Sequence, residues 1–306
     1  MRNAFAKAVT ELGDQYPDLV MMAGDIGNRL FDKFKEKHPT RFYNCGVAEA
    51  NMTGVASGLA ASGLRPITYT ITPFNTVRCL EQIRLDVCYP DLPVIVVGTG
   101  AGLSYAGLGA THHSMEDIAI LRTLPNMHVV CPADSVEVRL AVKDALRLGR
   151  PTYIRLGKKG EPIVHQSDPV FEIGRGIVMR EGSDVAILSV GTMLDPALKS
   201  ADRLQQAGVS TKVISLHTVK PLDDQLLGAL FAEQKLVVVL EEHGLTGGAG
   251  SAVLEWGNAR RMPLDKLLCI GAPDRFLSAC GDQDQARALY GLVPEKICER
   301  ILDRLK

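Results

Sequence analysis

The sequence lacks the marks of most enzyme classes whose chemistry is carried by their own side chains. It has no GxGxxG, no GxxxxGK(S/T), no HExxH and no GxSxG. The dinucleotide fingerprint, the phosphate loop, the zinc helix and the nucleophile elbow are therefore missing. The seven cysteines are scattered without a CxxC pair, which signals neither a disulfide framework nor a zinc site. No apolar run reaches the ~18 residues of a membrane span. An excess of one charge is also lacking: 34 Lys and Arg stand against 35 Asp and Glu, for a formal net charge of −1. This balance gives no footprint for nucleic acid, a membrane surface or a polyanionic partner. The start, Met1-Arg2-Asn3-Ala4-Phe5-Ala6-Lys7, has neither the apolar core nor the cleavage site of a signal peptide. The expected location is the cytoplasm.

What is present is an ordinary soluble composition, 46% hydrophobic and 23% charged over 306 residues, a length that suits two compact domains. Strand-like and helix-like segments alternate, the pattern of an α/β protein with a largely parallel sheet. Apolar runs predict strands at Leu19–Ala23, Pro66–Ile71, Leu92–Val97, Met127–Cys131 and Thr152–Leu156. Pro, Gly and charge cluster at GKKGEPIVHQSDP, which reads as a linker. The predicted division is a first domain at 1–157, a linker at 158–171 and a smaller α/β domain at 172–306. The second half repeats the alternation, with strands at Val185–Val190, Thr211–Leu216 and Leu236–Leu240 and helices near Met193–Gln206, Asp223–Ala232 and Gly248–Asn258. A mixed sheet is expected there. The stretch Val47–Ala61 predicts a helix of small residues, with Gly54 and Gly58 leaving one face without bulk for a close neighbour.

The polar residues that stand out lie at strand ends and in Gly-rich loops of the first half: Asp25 and Asn28 in AGDIGN, Glu49 in GVAEANM, and His112-His113 in GLGATHHSMED, with Phe74 in TITPFN. Glu49 sits in a small apolar run. Buried at a helix start, its carboxylate is desolvated and its pKa is expected to rise; the plainer reading is an exposed Glu favoured by the helix dipole. The Gly98–Gly109 loop brings backbone close to a ligand or is simply a surface turn. Adjacent histidines point apart, so at most one of His112 and His113 faces a site. Phe74 alone reads as a core residue.

Taken in order, RFYNCGVAEANMTGVASGLAASGLRP, EQIRLDVCYPDLPVIVV, ATHHSMEDIAILRTLPNMHVVCPAD, SVGTMLDPALKSADRL and VVVLEEHGLTGGAGSAV resemble the pyrimidine-binding and C-terminal domains of transketolases, over essentially the whole chain. The resemblance implies a thiamine-diphosphate enzyme that moves a two-carbon ketol unit from a ketose to an aldehyde through a carbanion on the cofactor. It implies that Glu49 hydrogen-bonds N1′ of the aminopyrimidine, as proton-exchange work suits a carboxyl there. It also implies that Phe74 packs against that ring, that Asp25 lies near the thiazolium, and that His112 contacts the donor sugar and takes part in catalysis. Arg2 matches a phosphate-contacting arginine. The GDG…N signature that holds diphosphate and Mg²⁺ in the family is absent. The resemblance therefore implies a split enzyme. Its partner would be an N-terminal transketolase subunit with GDG…N that supplies the metal ligands, in a hetero-tetramer with two of each chain.

Several positions depart from the family pattern. Gly100 stands in place of a histidine, Leu108 in place of the Asp of a GEDG motif, and Lys158 in place of an arginine; Ile71 and Leu80 replace aromatics. Lys keeps the charge but loses the bidentate fork. The sugar-phosphate end is therefore expected to be altered, unless a neighbour such as Arg29 restores what those side chains would have supplied. Two other readings stay open: a β-type subunit of a 2-oxoacid dehydrogenase or of a deoxyxylulose-phosphate-synthase-like enzyme, and a non-catalytic assembly subunit.

Overall fold

The structure, a computed structural model, describes residues 1–27, 29–158, 160–277 and 281–306. Asn28, singled out in the sequence, lies outside the described residues. The chain forms two α/β layers. The strands of the first half are β1 (Leu19–Ala23), β2 (Phe42–Asn44), β3 (Arg65–Ile71), β4 (Ile95–Thr99), β5 (His128–Val130) and β6 (Thr152–Leu156). Those of the second half are β7 (Ile177–Arg180), β8 (Val185–Ser189), β9 (Thr211–Ser215), β10 (Thr218–Lys220), β11 (Leu236–Gly244) and β12 (Leu267–Ala272).

The first sheet has the order β10-β5-β6-β4-β3-β1-β2 and the second β12-β11-β8-β9-β7. Every residue of β1, β4, β6 and β8 is buried, as expected of parallel strands covered by helices on both faces. One face of the first sheet packs Phe5, Phe31, Phe34 and Tyr69 under the helices Arg2–Gln15 and Ser135–Leu148. The second sheet is mixed, since β7 pairs antiparallel with β9.

Most elements fall where the periodicity places them, with three instructive differences. The helix expected from Val47 starts at Glu49. The strand expected at Leu92–Val97 is shifted to Ile95–Thr99, because Pro93 has no N–H for a ladder, while the two extra residues, Gly98 and Thr99, carry no apolar signal. The third difference concerns the first sheet, which is not wholly parallel. Thr218–Lys220, from the second half, pairs antiparallel with β5 at its edge. One apolar cluster runs from Met52 and Val87 through Cys131 to Leu188, Leu216 and Val219. The two halves therefore share packed interior.

Strand order fixes where a crevice opens. From β1 the chain goes to β2 on one side and to β3 on the other. Helices leave in opposite directions at such a reversal, which opens a cleft at the carboxyl ends of the strands. At β1 and β3 those ends carry Gly24-Asp25 and Thr72–Phe74.

Candidate active site

Glu49 is the first residue of the Glu49–Ala61 helix and is only 2% exposed. The chain reaches it through a turn at Gly46, φ +66°, whose N–H donates to Asn44 Oδ1 at 3.0 Å. The side chain lies across the end of the sheet. A Cβ built on Gly24 would come within 3.1 Å of Glu49 Cγ and 3.0 Å of Thr70 Cβ, so glycine at 24 makes room for the carboxylate. Burial removes the exposed-Glu reading, although the residue does stand in the first helical turn. The pocket is less apolar than the surrounding sequence suggests. Arg78 Nη1 donates to Glu49 Oε2 at 2.8 Å, which compensates the buried charge.

Phe74 is held by its neighbours rather than by the core. After β3 the chain turns into the one-turn helix Thr72–Asn75, with Pro73 near its start. Buried Asn75 donates to Val97 O at 2.9 Å and Thr72 Oγ1 donates to Thr99 O at 3.1 Å. These bonds tie the turn to β3 and β4 and leave the Phe74 ring half-exposed over the cleft. The Arg78 guanidinium lies 4.2 Å from the centre of that ring, and the Phe74 ring stands edge-on to His112 at 5.3 Å. The two histidines do part. His113 is buried and its Nε2 donates to Ala106 O at 3.1 Å, while His112 turns to Phe74 and to Tyr105, whose ring is 5.9 Å away. Burial, and then the charge of His113, lower the His112 pKa, which favours a neutral ring.

Asp25 follows Gly24 at the rim, with φ +52°. It is exposed and accepts from Asn44 Nδ2 at 3.2 Å. The unusual backbone for a non-glycine residue is the kind of local strain found at functional sites. At the other end of the cleft Lys158 places Nζ 4.4 Å from the Tyr105 ring centre, and the charge of Arg2 reaches the Tyr105 hydroxyl. Arg2 is half-buried, and its Nε has no hydrogen-bond partner among the described residues. Glu49, Phe74, His112, Lys158 and Arg2 thus lie along one run of side chains, with Asp25 beside its Glu49 end.

Two residues packed against this run, Arg78 and Tyr105, do not stand out in the sequence. Arg78 follows Phe74 by four residues, a spacing that is informative only where a helical segment is expected. The turn Thr72–Asn75 instead passes through a 3₁₀ turn, Val77–Cys79, and a short α turn, Leu80–Gln82, into a π-helical segment, Ile83–Cys88, a succession with no simple periodicity. Tyr105 is the one aromatic within the Gly-rich loop Gly98–Gly109, and that isolation is the signal by which it could be found.

Residues 1–161 match the family model "Transketolase, pyrimidine binding domain" and residues 174–297 match "Transketolase, C-terminal domain". The chain is 34% identical to "Putative transketolase C-terminal section" of Methanocaldococcus jannaschii, over 100% of this chain and 96% of that protein. It is 34% identical to "6-deoxy-6-sulfo-D-fructose transketolase subunit SqwH" of Clostridium sp. strain MSTE9, over 97% and 92%. A solved structure titled "Split gene transketolase, inactive beta4 tetramer" superimposes with a TM-score of 0.91 at 37% identity, covering 99% of this chain and 97% of that one. The chain belongs to the transketolase family.

Proposed function

We propose that this transketolase-family chain is the catalytic-glutamate half of a split enzyme. In this reading it transfers a two-carbon ketol unit from a ketose to an aldehyde acceptor and works only with a second subunit that carries the diphosphate- and Mg²⁺-binding GDG…N segment. Thiamine diphosphate supplies, when bound, the nucleophilic carbon that takes up the ketol unit. The working division of the chain remains a pyrimidine-binding domain at 1–157, a linker at 158–171 and a C-terminal domain at 172–306.

The observation that carries this reading is the arrangement of Arg78 on Glu49 and Phe74. A planar π cation with N–H donors lies on the Phe74 ring while donating to the buried Glu49 carboxylate. An aminopyrimidine presents the same chemistry, a flat ring to stack and a nitrogen edge to hydrogen-bond. The two residues therefore fit the group, and Arg78 withdraws when it enters.

Within this reading Glu49 holds the proton exchanged with the pyrimidine N1′, as a general acid–base group acting at one remove. Phe74 orients the ring, and Asp25 provides negative charge at the rim, favourable to a thiazolium cation. His112, kept neutral by burial, hydrogen-bonds the reacting end of the sugar. Lys158 and Arg2 meet its far end. Diphosphate and metal contacts fall to the partner. Its docking surface is the open side of the Glu49–Ala61 helix, where Cβ atoms built on Gly54 and Gly58 would meet nothing and Val47, Val55, Val77 and Tyr89 are exposed. The expected assembly holds two of each chain. No described helix is long and apolar enough to cross a membrane, and we place the protein in the cytoplasm.

The test is ketol transfer by the complex reconstituted from this chain and the GDG…N subunit, with thiamine diphosphate and Mg²⁺, using ketose donors and a panel of aldehydes. Transfer by the pair and not by either chain alone supports the reading. A complex that only decarboxylates a 2-oxoacid refutes it.

A further inference from the structure

The resemblance puts position 100 at the substrate end, where glycine brings no side chain. The structure shows that the space is filled. A Cβ built on Gly100 would meet Tyr105 Cε2 at 1.9 Å and Cδ2 at 2.2 Å, and Gly100 itself has φ +74°. A side chain at 100 and the Tyr105 ring therefore cannot occupy this loop together; the glycine and the tyrosine form a pair. The ring is also held from other directions. Lys158 Nζ lies 4.4 Å from its centre, His112 approaches to 5.9 Å, and Arg2 is near enough for its charge to act on the hydroxyl. His112 in turn stands 5.3 Å from Phe74. Moving outward from Glu49, the cleft meets Phe74, then His112, then Tyr105 with two cations around it. Leu108, 55% exposed, adds only apolar surface to the same loop.

We propose that Tyr105 is the specificity-determining residue for the tail of the substrate. Its ring closes the space that a side chain at position 100 would otherwise use, and its face holds the Lys158 ammonium where it meets an anion at the end of the ketose. That the ketose ends in an anion belongs to the proposed function; what Tyr105 adds is the placing of the cation that meets it. This rests on the reading that the Glu49–Phe74 end takes the cofactor. A cation over an aromatic face is attracted by the ring quadrupole, which narrows the set of places it occupies. A lysine free of that face would reach the anion as one of many rotamers. The ring thus acts through Lys158 as a positioning group and, through its edge, as the end wall for the sugar.

The experiment compares two donors on one enzyme, a terminally phosphorylated ketose and its neutral counterpart, in the reconstituted complex. The readout is the ratio of their kcat/KM values, which a purely structural loss does not move. In Tyr105→Ala the ratio is expected to fall ~10-fold, through KM for the anionic donor, as the ammonium loses its support. Tyr105→Phe keeps the ring and stays within ~3-fold of wild type, since the face and not the hydroxyl holds the cation. Lys158→Met reproduces the loss of preference. Tyr105→Leu, which keeps bulk without a π face, replaces Tyr105→Ala if that variant does not fold, with the same expectation. A sulfonated donor serves as a third arm, and its advantage over the neutral ketose is expected to fall in Tyr105→Ala as that of the phosphate does. An unchanged ratio in both ring-removing variants overturns it, even with transfer intact. If Glu49→Gln turns over like wild type, the failure lies instead in the reading beneath it.

Discussion

The two sheets each reverse strand order and open a crevice at the carboxyl ends of their strands, and they use it in opposite ways. In the first sheet the crevice between β1 and β3 presents Glu49 and a half-exposed Phe74, with one long side chain, Arg78, across them. In the second the reversal falls between β8 and β11, and the protein fills it from within. Glu242, 1% exposed, accepts from Leu103 N at 2.7 Å and from Gln283, and pairs with Arg287. Glu241 accepts from Ala249 N at 2.8 Å and Gly250 N at 2.9 Å, so the N-terminus of the next helix is already capped by a carboxylate. The comparison teaches that fold topology offers a site and side chains decide whether it stays open. Glu241 and Glu242 are buried among several donors, whereas among the described residues the Glu49 carboxylate pairs with Arg78, the arrangement on which the proposed function rests.

The largest effect is expected from Glu49→Gln, in the open crevice. Gln keeps the shape but cannot exchange a proton, so turnover in the reconstituted complex is expected to fall by ~10²–10⁴ with the complex still assembled. Size-exclusion chromatography beside the assay separates loss of chemistry from loss of assembly. The matching change in the second crevice, Glu242→Gln, should do the reverse. It leaves Arg287, whose side chain is 14% exposed, without its counter-charge and costs about 3 kcal/mol of stability. Turnover per folded complex should stay near wild type, and urea denaturation reads the stability loss.

How much of this was legible beforehand follows from the physics of each element. β1 and β6 lie where their apolar runs place them, because strands buried on both faces need continuous hydrophobicity. Glu49 stood out because a carboxylate in a run of small residues is conspicuous, and Phe74 did so only in combination. Arg78 did not, because its pairing depends on a segment that goes from α to 3₁₀, back to α and then to π geometry within seventeen residues, 72–88. The filling of the Gly100 space by Tyr105 is a tertiary contact between loop residues with no periodic signature. β10 escaped notice because three residues suffice for an edge pairing, too few for a pattern.

Arg78→Met sharpens the first half of the comparison with a smaller effect. Arg78 is 44% exposed, so solvent screens the pair and the expected destabilisation of the isolated chain is ~1 kcal/mol. The loss should disappear when Glu49 is already Gln, a coupling that a double-mutant cycle in urea measures. No coupling would show that the two residues do not restrain each other.

The smallest effect concerns the seam between the halves. His165 Nδ1 lies 3.2 Å from Asp134 Oδ2 and its Nε2 lies 3.4 Å from Glu137 Oε1. Burial, the largest cause, pushes Glu137 up to about 7, and Asp134 and Glu137 hold the His165 imidazolium with a raised pKa despite its burial. A raised carboxyl pKa means that the unfolded chain releases this proton first. Stability therefore falls as pH rises from the ordinary Glu value toward 7, and the His165 contribution is lost over the higher range in which its raised pKa is passed. Asp134 works in the opposite sense, its pKa held down by the His165 contacts despite burial, so its contribution is lost only on acidification. Glu137→Gln should flatten the decline in stability between about pH 5 and 8 by an amount on the order of 1 kcal/mol, read by urea denaturation at each pH. An unchanged slope would place the proton elsewhere.

Calorimetry of thiamine diphosphate with Mg²⁺, first on this chain alone and then on the chain mixed with the proposed GDG…N subunit, tests whether cofactor binding needs both chains. No binding at micromolar concentration is expected of the lone chain, where only Glu49, Phe74 and the rim are offered and Arg78 competes, and saturable binding is expected once the proposed partner is present. Micromolar or tighter binding by the lone chain would contradict that expectation.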